Sequence, residues 1–106
     1  KPVDGLFVGE IARMLRQEIY LDIAIPCAWN ELLNDPFCGE MYDGELLVSL
    51  TGVLSDHPQE RRHSLYRAFS GKVERHIEAH EWADAGERAD FEKYVADFSS
   101  LFMLHE

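Results

Sequence analysis

The apolar residues of this chain recur at three- and four-residue steps along most of its length, which is the spacing of one face of an α-helix. The first stripe runs from Val8 to about Leu21, with polar residues on the opposite face. The clearest stripe follows a predicted break at residues 84–86 and consists of aromatic and aliphatic residues: Phe91, Tyr94, Val95, Phe98, Leu101 and Phe102. Residues 19–25 tolerate β structure, but no convincing strand pattern occurs. The pattern therefore predicts an all-α fold, a compact bundle of five or six helices.

The remaining helices are predicted between these two stripes. Pro26 suits the first turn of a short helix that ends near Leu33, because a proline there loses no hydrogen bond. Another helix is expected from about Gly44 to Leu54. The segment from residue 57 to about residue 83 is helical in pattern, with a kink or break expected near Gly71. Trp29 and the aromatic stripe of the last helix are expected in the core.

The chain has 106 residues, of which 46% are hydrophobic and 28% charged, so a single globular domain over residues 1–106 is expected. No apolar run approaches the length of a membrane span. No cationic leader followed by an apolar stretch opens the sequence, so no signal peptide is expected. The chain has two cysteines, Cys27 and Cys38, so one disulfide is arithmetically possible. The preferred interpretation is that both are reduced thiols in a cytoplasmic protein.

The charge is unevenly distributed. The formal net charge is −10, and residues 17–60 contain nine Asp and Glu but no Lys or Arg. Such a field repels nucleic acid and favours encounter with a basic protein. Alternatively, the excess of acidic residues only keeps the protein soluble.

The strongest local signal is the segment 34–47, here called the acidic turn, which combines a helix stop with a helix start. Pro36 disfavours helical geometry at Asp35, and Asp43 is predicted to cap the following helix. Tyr42 lies in this polar segment and could be either a binding anchor or a structural plug.

Signals for enzymatic chemistry are weak. His76 and His80 are four residues apart on one helical face, but Ile77 stands where a zinc-protease motif needs Glu. Solvent-facing histidines are the preferred interpretation, and no metal site or cofactor is predicted. A calcium loop at 35–45 is disfavoured, because Phe37 and Gly39 occupy ligand positions. No phosphate loop or nucleophile elbow occurs.

The order of features from Val8 to Leu54 resembles the immunity proteins of bacterial contact-dependent growth inhibition systems. The resemblance rests on Glu10–Gln17, Ile25-Pro26, Asn34–Phe37 and Gly39–Leu47, the last of which reads Gly-Glu-Met-Tyr-Asp-Gly-Glu-Leu-Leu. It implies a cytoplasmic, non-enzymatic protein that binds and blocks one cognate toxin domain, expected to be a nuclease.

The leading hypothesis is therefore an immunity protein that binds the C-terminal domain of its toxin 1:1, without nucleic acid or membrane as a partner. The predicted contact residues are those of the acidic turn and one helical turn upstream: Glu31, Asp35, Glu40, Tyr42, Asp43 and Glu45. The hypothesis expects Glu40→Lys or Glu45→Lys to weaken toxin binding without loss of thermal stability. The alternatives are an acidic adaptor for another basic partner and a small metal-dependent enzyme that uses His76 and His80.

Overall fold

The structure is a computed structural model that describes residues 7–39 and 41–103. These residues form five α-helices and one short 3₁₀ helix, Pro58–Glu60, and they contain no β-strand. The α-helices are α1 (Val8–Gln17), α2 (Leu21–Asn34), α3 (Glu45–Asp56), α4 (His63–His76) and α5 (Ala85–Ser100). The predicted all-α bundle is confirmed.

Helix α3 lies at the centre of the packing. It contacts α1, α2 and α5, while α1 also packs on α2, and α4 packs on α2. Leu46, Leu47, Leu50 and Leu54 of α3 are all fully buried, so this helix turns a wide apolar face to its neighbours. Burial of that face supplies most of the stability that a short helix cannot provide alone.

The aromatic residues of α5 close the core, as the sequence predicts. Phe91 and Phe98 are fully buried, and Trp29 of α2 is 3% exposed. The ring centroid of Trp29 lies 5.6 Å from that of Phe98 and 6.2 Å from that of Phe102. These tilted and edge-on contacts are the favourable geometries for aromatic pairs.

The boundary between α1 and α2 differs from the prediction. Helix α1 ends at Gln17, because Glu18 adopts a left-handed backbone conformation (φ 55°) and terminates the helix. Helix α2 already begins at Leu21, and Pro26 therefore lies inside it. A proline inside a helix removes one hydrogen bond. Here the buried face of α2, formed by Ala24, Ile25, Ala28, Trp29 and Leu32, outweighs that loss.

The two C-terminal helices also differ from the expectation in their limits. Helix α4 continues through Gly71 without a break and ends at His76, well before the predicted residue 83. Helix α5 begins at Ala85, so the predicted break at 84–86 is instead the cap and first turn of this helix. Asp84 is the N-cap, and its Oδ1 accepts a hydrogen bond from the Glu87 amide at 2.8 Å.

None of the helices in the described residues is both long enough and apolar enough to cross a lipid bilayer.

Candidate partner-binding surface

The acidic turn begins where the sequence predicts a helix stop. Asp35 has an extended backbone (φ −150°, ψ 98°), as expected for a residue that precedes proline. Its Oδ1 accepts a hydrogen bond from the Phe37 amide at 3.0 Å, and its carbonyl oxygen accepts one from the Cys38 amide at 3.2 Å. Asp35 is exposed, but its carboxylate stabilises the turn as well as facing solvent.

Gly44 closes the acidic turn against α5. Its amide donates to the carbonyl oxygen of Phe37 at 3.0 Å, and its φ of +91° is a left-handed conformation that favours glycine. A Cβ at this position would lie 2.9 Å from ring carbons of both Phe91 and Tyr94. Backbone conformation and close packing therefore both require glycine here.

Glu45 is a structural residue of this turn, which the sequence interpretation missed. It is only 5% exposed, although it is the first residue of α3. Its Oε1 accepts a hydrogen bond from the Met41 amide at 2.9 Å, and its Oε2 lies 3.3 Å from Nη1 of Arg16 on α1. Glu45 is predicted as a contact residue, but in the fold its carboxylate connects the turn with α1 and with the start of α3.

Asp43 does not cap α3, contrary to the prediction. The N-cap is Gly44, which makes no side-chain capping hydrogen bond. Instead, Oδ2 of Asp43 lies 2.7 Å from Nε2 of His80, in the segment between α4 and α5. His80 stacks on Phe37, with ring centroids 4.0 Å apart and an interplanar angle of 17°. The interpretation of His80 as a solvent-facing residue is therefore wrong: its side chain is 24% exposed and holds the turn.

The cysteine within this turn, Cys38, is shielded from solvent. Cys38 is half-buried, and no disulfide joins it to Cys27. Burial, followed by the nearby carboxylates of Asp35 and Glu31, raises the pKa of the Cys38 thiol to about 12. A thiol with so high a pKa stays protonated at neutral pH and is a poor nucleophile. Glu31 itself is half-buried on α2, one turn before the acidic turn.

Two of the exposed residues of the acidic turn are largely apolar. Met41 is 78% exposed and Tyr42 is 43% exposed. The ring of Tyr42 lies 6.1 Å from that of Tyr94 on α5. Burial, with smaller effects from Tyr94 and Glu45, raises the pKa of Tyr42 above its ordinary value, so the phenol remains neutral. Glu40, between these residues and Gly39, lies outside the described residues and stays a prediction.

Tyr42 separates two grooves. The larger, called the α1–α3 groove, has a volume of about 880 Å³ and runs along one face of α3 beside the end of α1. Its lining combines apolar and small residues with four charged ones: Leu15, Arg16, Glu18, Met41, Tyr42, Glu45, Val48, Ser49, Gly52 and Asp56.

The smaller, called the α5 groove, has a volume of about 400 Å³ and lies against the first turns of α5. Two tyrosines, one glycine and four carboxylates line it: Tyr42, Tyr94, Gly86, Asp43, Asp84, Glu87 and Asp90. The α5 carboxylates were not among the predicted contact residues. They lie more than 40 residues from Tyr42 in sequence, and only the packing of α5 on α3 brings them beside it.

The two histidines singled out by the sequence do not act together. His76 is exposed at the end of α4, whereas His80 pairs with Asp43. Within residues 7–39 and 41–103, no group of three or more His, Cys, Asp or Glu side chains could hold a metal ion.

These features define an acidic helical protein with an exposed aromatic turn. Comparison with known proteins identifies its family. The sequence model of the CDI immunity proteins, those of contact-dependent growth inhibition systems, matches residues 1–67. The chain belongs to this family. The matched part contains α1, α2, the acidic turn and α3, whereas α5 lies beyond it. The chain has no significant match among curated proteins or among solved structures.

Proposed function

We propose that this protein neutralises a cognate toxin domain by binding a basic surface of that domain, in a 1:1 complex in the cytoplasm. Membership of the CDI immunity proteins supports the toxin as the class of partner. The net charge of −10 supports a basic binding surface on it, such as the substrate groove of a nuclease.

The observation that carries this proposal is the position of Tyr42. Tyr42 is 43% exposed and borders both grooves, and four carboxylates line the α5 groove beside it. An exposed tyrosine among carboxylates suits an Arg or Lys of a partner, because the ring face attracts the cation and the carboxylates pair with it. Tyrosine is also among the residues most often found at the energetic centre of interfaces.

The contact residues of the proposal are those of the sequence prediction, with Glu45 in a different role. Tyr42, Asp35 and Asp43 remain contact residues, as do Glu31 and Glu40 from the sequence prediction. Two of these carboxylates already have partners in the fold, so a toxin cation would join an existing hydrogen bond. Glu45 contributes indirectly, by holding Met41 and Tyr42 in place.

The test uses the purified C-terminal domain of the cognate toxin, which we expect to be encoded by the gene directly upstream. Tyr42→Ala is expected to weaken binding about 30-fold or more, the effect of losing an interface residue worth about 2 kcal/mol, and to reduce growth protection on co-expression. Ile23→Ala is the control, because Ile23 is similarly exposed (47%) but lies on α2 away from both grooves.

Two results would contradict the proposal. Absence of binding between the wild-type protein and this toxin domain would remove toxin neutralisation and favour another basic partner. A loss confined to Ile23→Ala would leave neutralisation standing but would exclude the acidic turn as the interface.

A further inference from the structure

Gly52, in the α1–α3 groove, is a glycine that the fold itself does not require. It lies in the middle of α3, is exposed, and has no heavy atom within 4 Å of the place where a Cβ would stand. Glycine destabilises a helix interior relative to alanine. Gly44 is required by its positive φ and close packing, but neither reason applies to Gly52. The free protein would thus be more stable with a side chain here.

The surroundings of Gly52 are suited to an apolar group from outside. Leu15 is fully buried and Ser49 is 7% exposed, so both line the bottom of the groove, beside half-buried Val48. Met41 and Tyr42 form an exposed apolar wall. Because Gly52 has no side chain, an incoming group can approach the backbone of α3 directly.

The charges of the groove lie toward its two ends. Near the start of α3, the ion pair of Arg16 with Glu45 leaves little net charge. At the other end, Asp56 is exposed as the last residue of α3, and Glu18 is paired with His57 through a distance of 3.1 Å between Oε1 and Nε2. The second end is therefore the one that complements a cation.

We propose that the α1–α3 groove receives an apolar side chain of the cognate toxin domain over Gly52, with a neighbouring Lys or Arg of the toxin pairing with Asp56. This inference rests on the proposed function and adds to it the place and chemistry of one contact. Gly52 is then retained at the expense of helix stability, because any larger residue would occupy the space that the partner fills.

The experiment compares glycine substitutions in two helices, with the same upstream-encoded toxin domain as the probe. Gly52→Leu is expected to keep or raise the Tm but to weaken toxin binding at least tenfold, because the new side chain fills the groove. Gly52→Ala is expected to raise the Tm by about 4 °C with a smaller loss of affinity.

Gly71→Leu is the matched control, because Gly71 is also a glycine inside a helix but lies outside the α1–α3 groove. The nearest atom to its Cβ position is Nη1 of Arg75 at 3.3 Å, the end of a flexible side chain. Toxin affinity within twofold of wild type is expected for this variant.

A charge variant tests the proposed pairing of a toxin Lys or Arg with Asp56. Asp56→Lys places a cation in the last turn of α3, where it is favourable to the helix. It is expected to weaken toxin binding at least tenfold, whereas Asp22→Lys, on exposed α2 surface, is expected to have a smaller effect.

The outcomes separate this inference from the function on which it rests. Wild-type affinity in Gly52→Leu, or an equal loss in Gly71→Leu, would overturn the groove contact while toxin neutralisation stands. An equal loss in Asp56→Lys and Asp22→Lys would overturn the pairing with Asp56. A wild-type protein that does not bind the toxin domain would instead contradict the proposed function itself.

Discussion

At residue 45, a single carboxylate connects the start of α3, the acidic turn and α1. Its two oxygens accept from the Met41 amide and contact the Arg16 guanidinium, and the side chain is almost inaccessible to water. Buried carboxylates are tolerated only when such partners compensate for lost hydration. Neighbouring Tyr42 has the opposite character, since it is exposed and borders two grooves. Although Tyr42 and Glu45 are only three positions apart, Glu45 stabilises the fold, whereas Tyr42 is a candidate contact residue.

Glu45→Lys is expected to destabilise the protein by about 2–4 kcal/mol, because it places a cation beside Arg16 and leaves the Met41 amide without its acceptor. Equilibrium unfolding in urea measures this change. Glu45→Gln retains an oxygen acceptor, so a smaller loss is expected, and Asp22→Lys serves as an exposed control. A Glu45→Lys variant as stable as wild type would show that the contacts of Glu45 contribute nothing net to folding.

At the scale of elements, both local sequence signals and tertiary packing determine where the helices begin and end. Helix α2 stops before Pro36 for a local reason, but it starts at Leu21 because its apolar face is buried against α1, α3 and α4. A residue beyond α3 also contacts its end: the Arg61 side chain donates to the carbonyl oxygens of Leu54 and Ser55, and to that of Leu101. Helix α5 has a local start signal, because Asp84 accepts from the Glu87 amide and Glu87 accepts from the Ala83 amide.

Asp84→Ala is expected to lower the free energy of unfolding by about 1 kcal/mol, because the Glu87 amide loses its capping acceptor. In a domain of this size, that corresponds to a decrease in Tm of about 5 °C, measurable by thermal denaturation. Asp90→Ala is the control, since Asp90 is exposed on α5 beyond the cap. Equal Tm values for the two variants would argue against a capping role of Asp84.

At the scale of the whole molecule, charge is the dominant property. Twenty acidic residues against ten Lys and Arg give a net charge of −10. Asp43 of the acidic turn and three carboxylates at the start of α5, Asp84, Glu87 and Asp90, come together beside Tyr42, although they are far apart in sequence. Like charges on one surface destabilise the free protein slightly, and a basic partner relieves that repulsion.

The association rate constant with the toxin domain is expected to fall about tenfold between 50 and 500 mM salt, because the Debye length shortens and steering is screened. Stopped-flow or biolayer measurements at several salt concentrations would test this. The dissociation rate constant is expected to change less, since close contacts are screened less than long-range attraction. An association rate constant independent of salt would contradict a binding surface defined by charge.

Much of the helical content could be predicted from the sequence. The apolar spacing determined the existence of the helices, the aromatic core of α5 and the buried position of Trp29. Pro36 determined the helix stop, and the motif around the acidic turn led to the family that the comparisons support. These features depend on residues within a few positions of each other, where backbone sterics and helical periodicity act directly.

Only the tertiary structure decided what the polar residues of the turn do. Glu45 meets Arg16 across 29 residues, and Asp43 meets His80 across 37, so no local pattern indicates either pair. The grooves beside Tyr42 likewise exist only because α1 and α5 pack against α3. Burial of a carboxylate, and the open space over Gly52, are properties of packing between distant segments, which the order of residues alone does not specify.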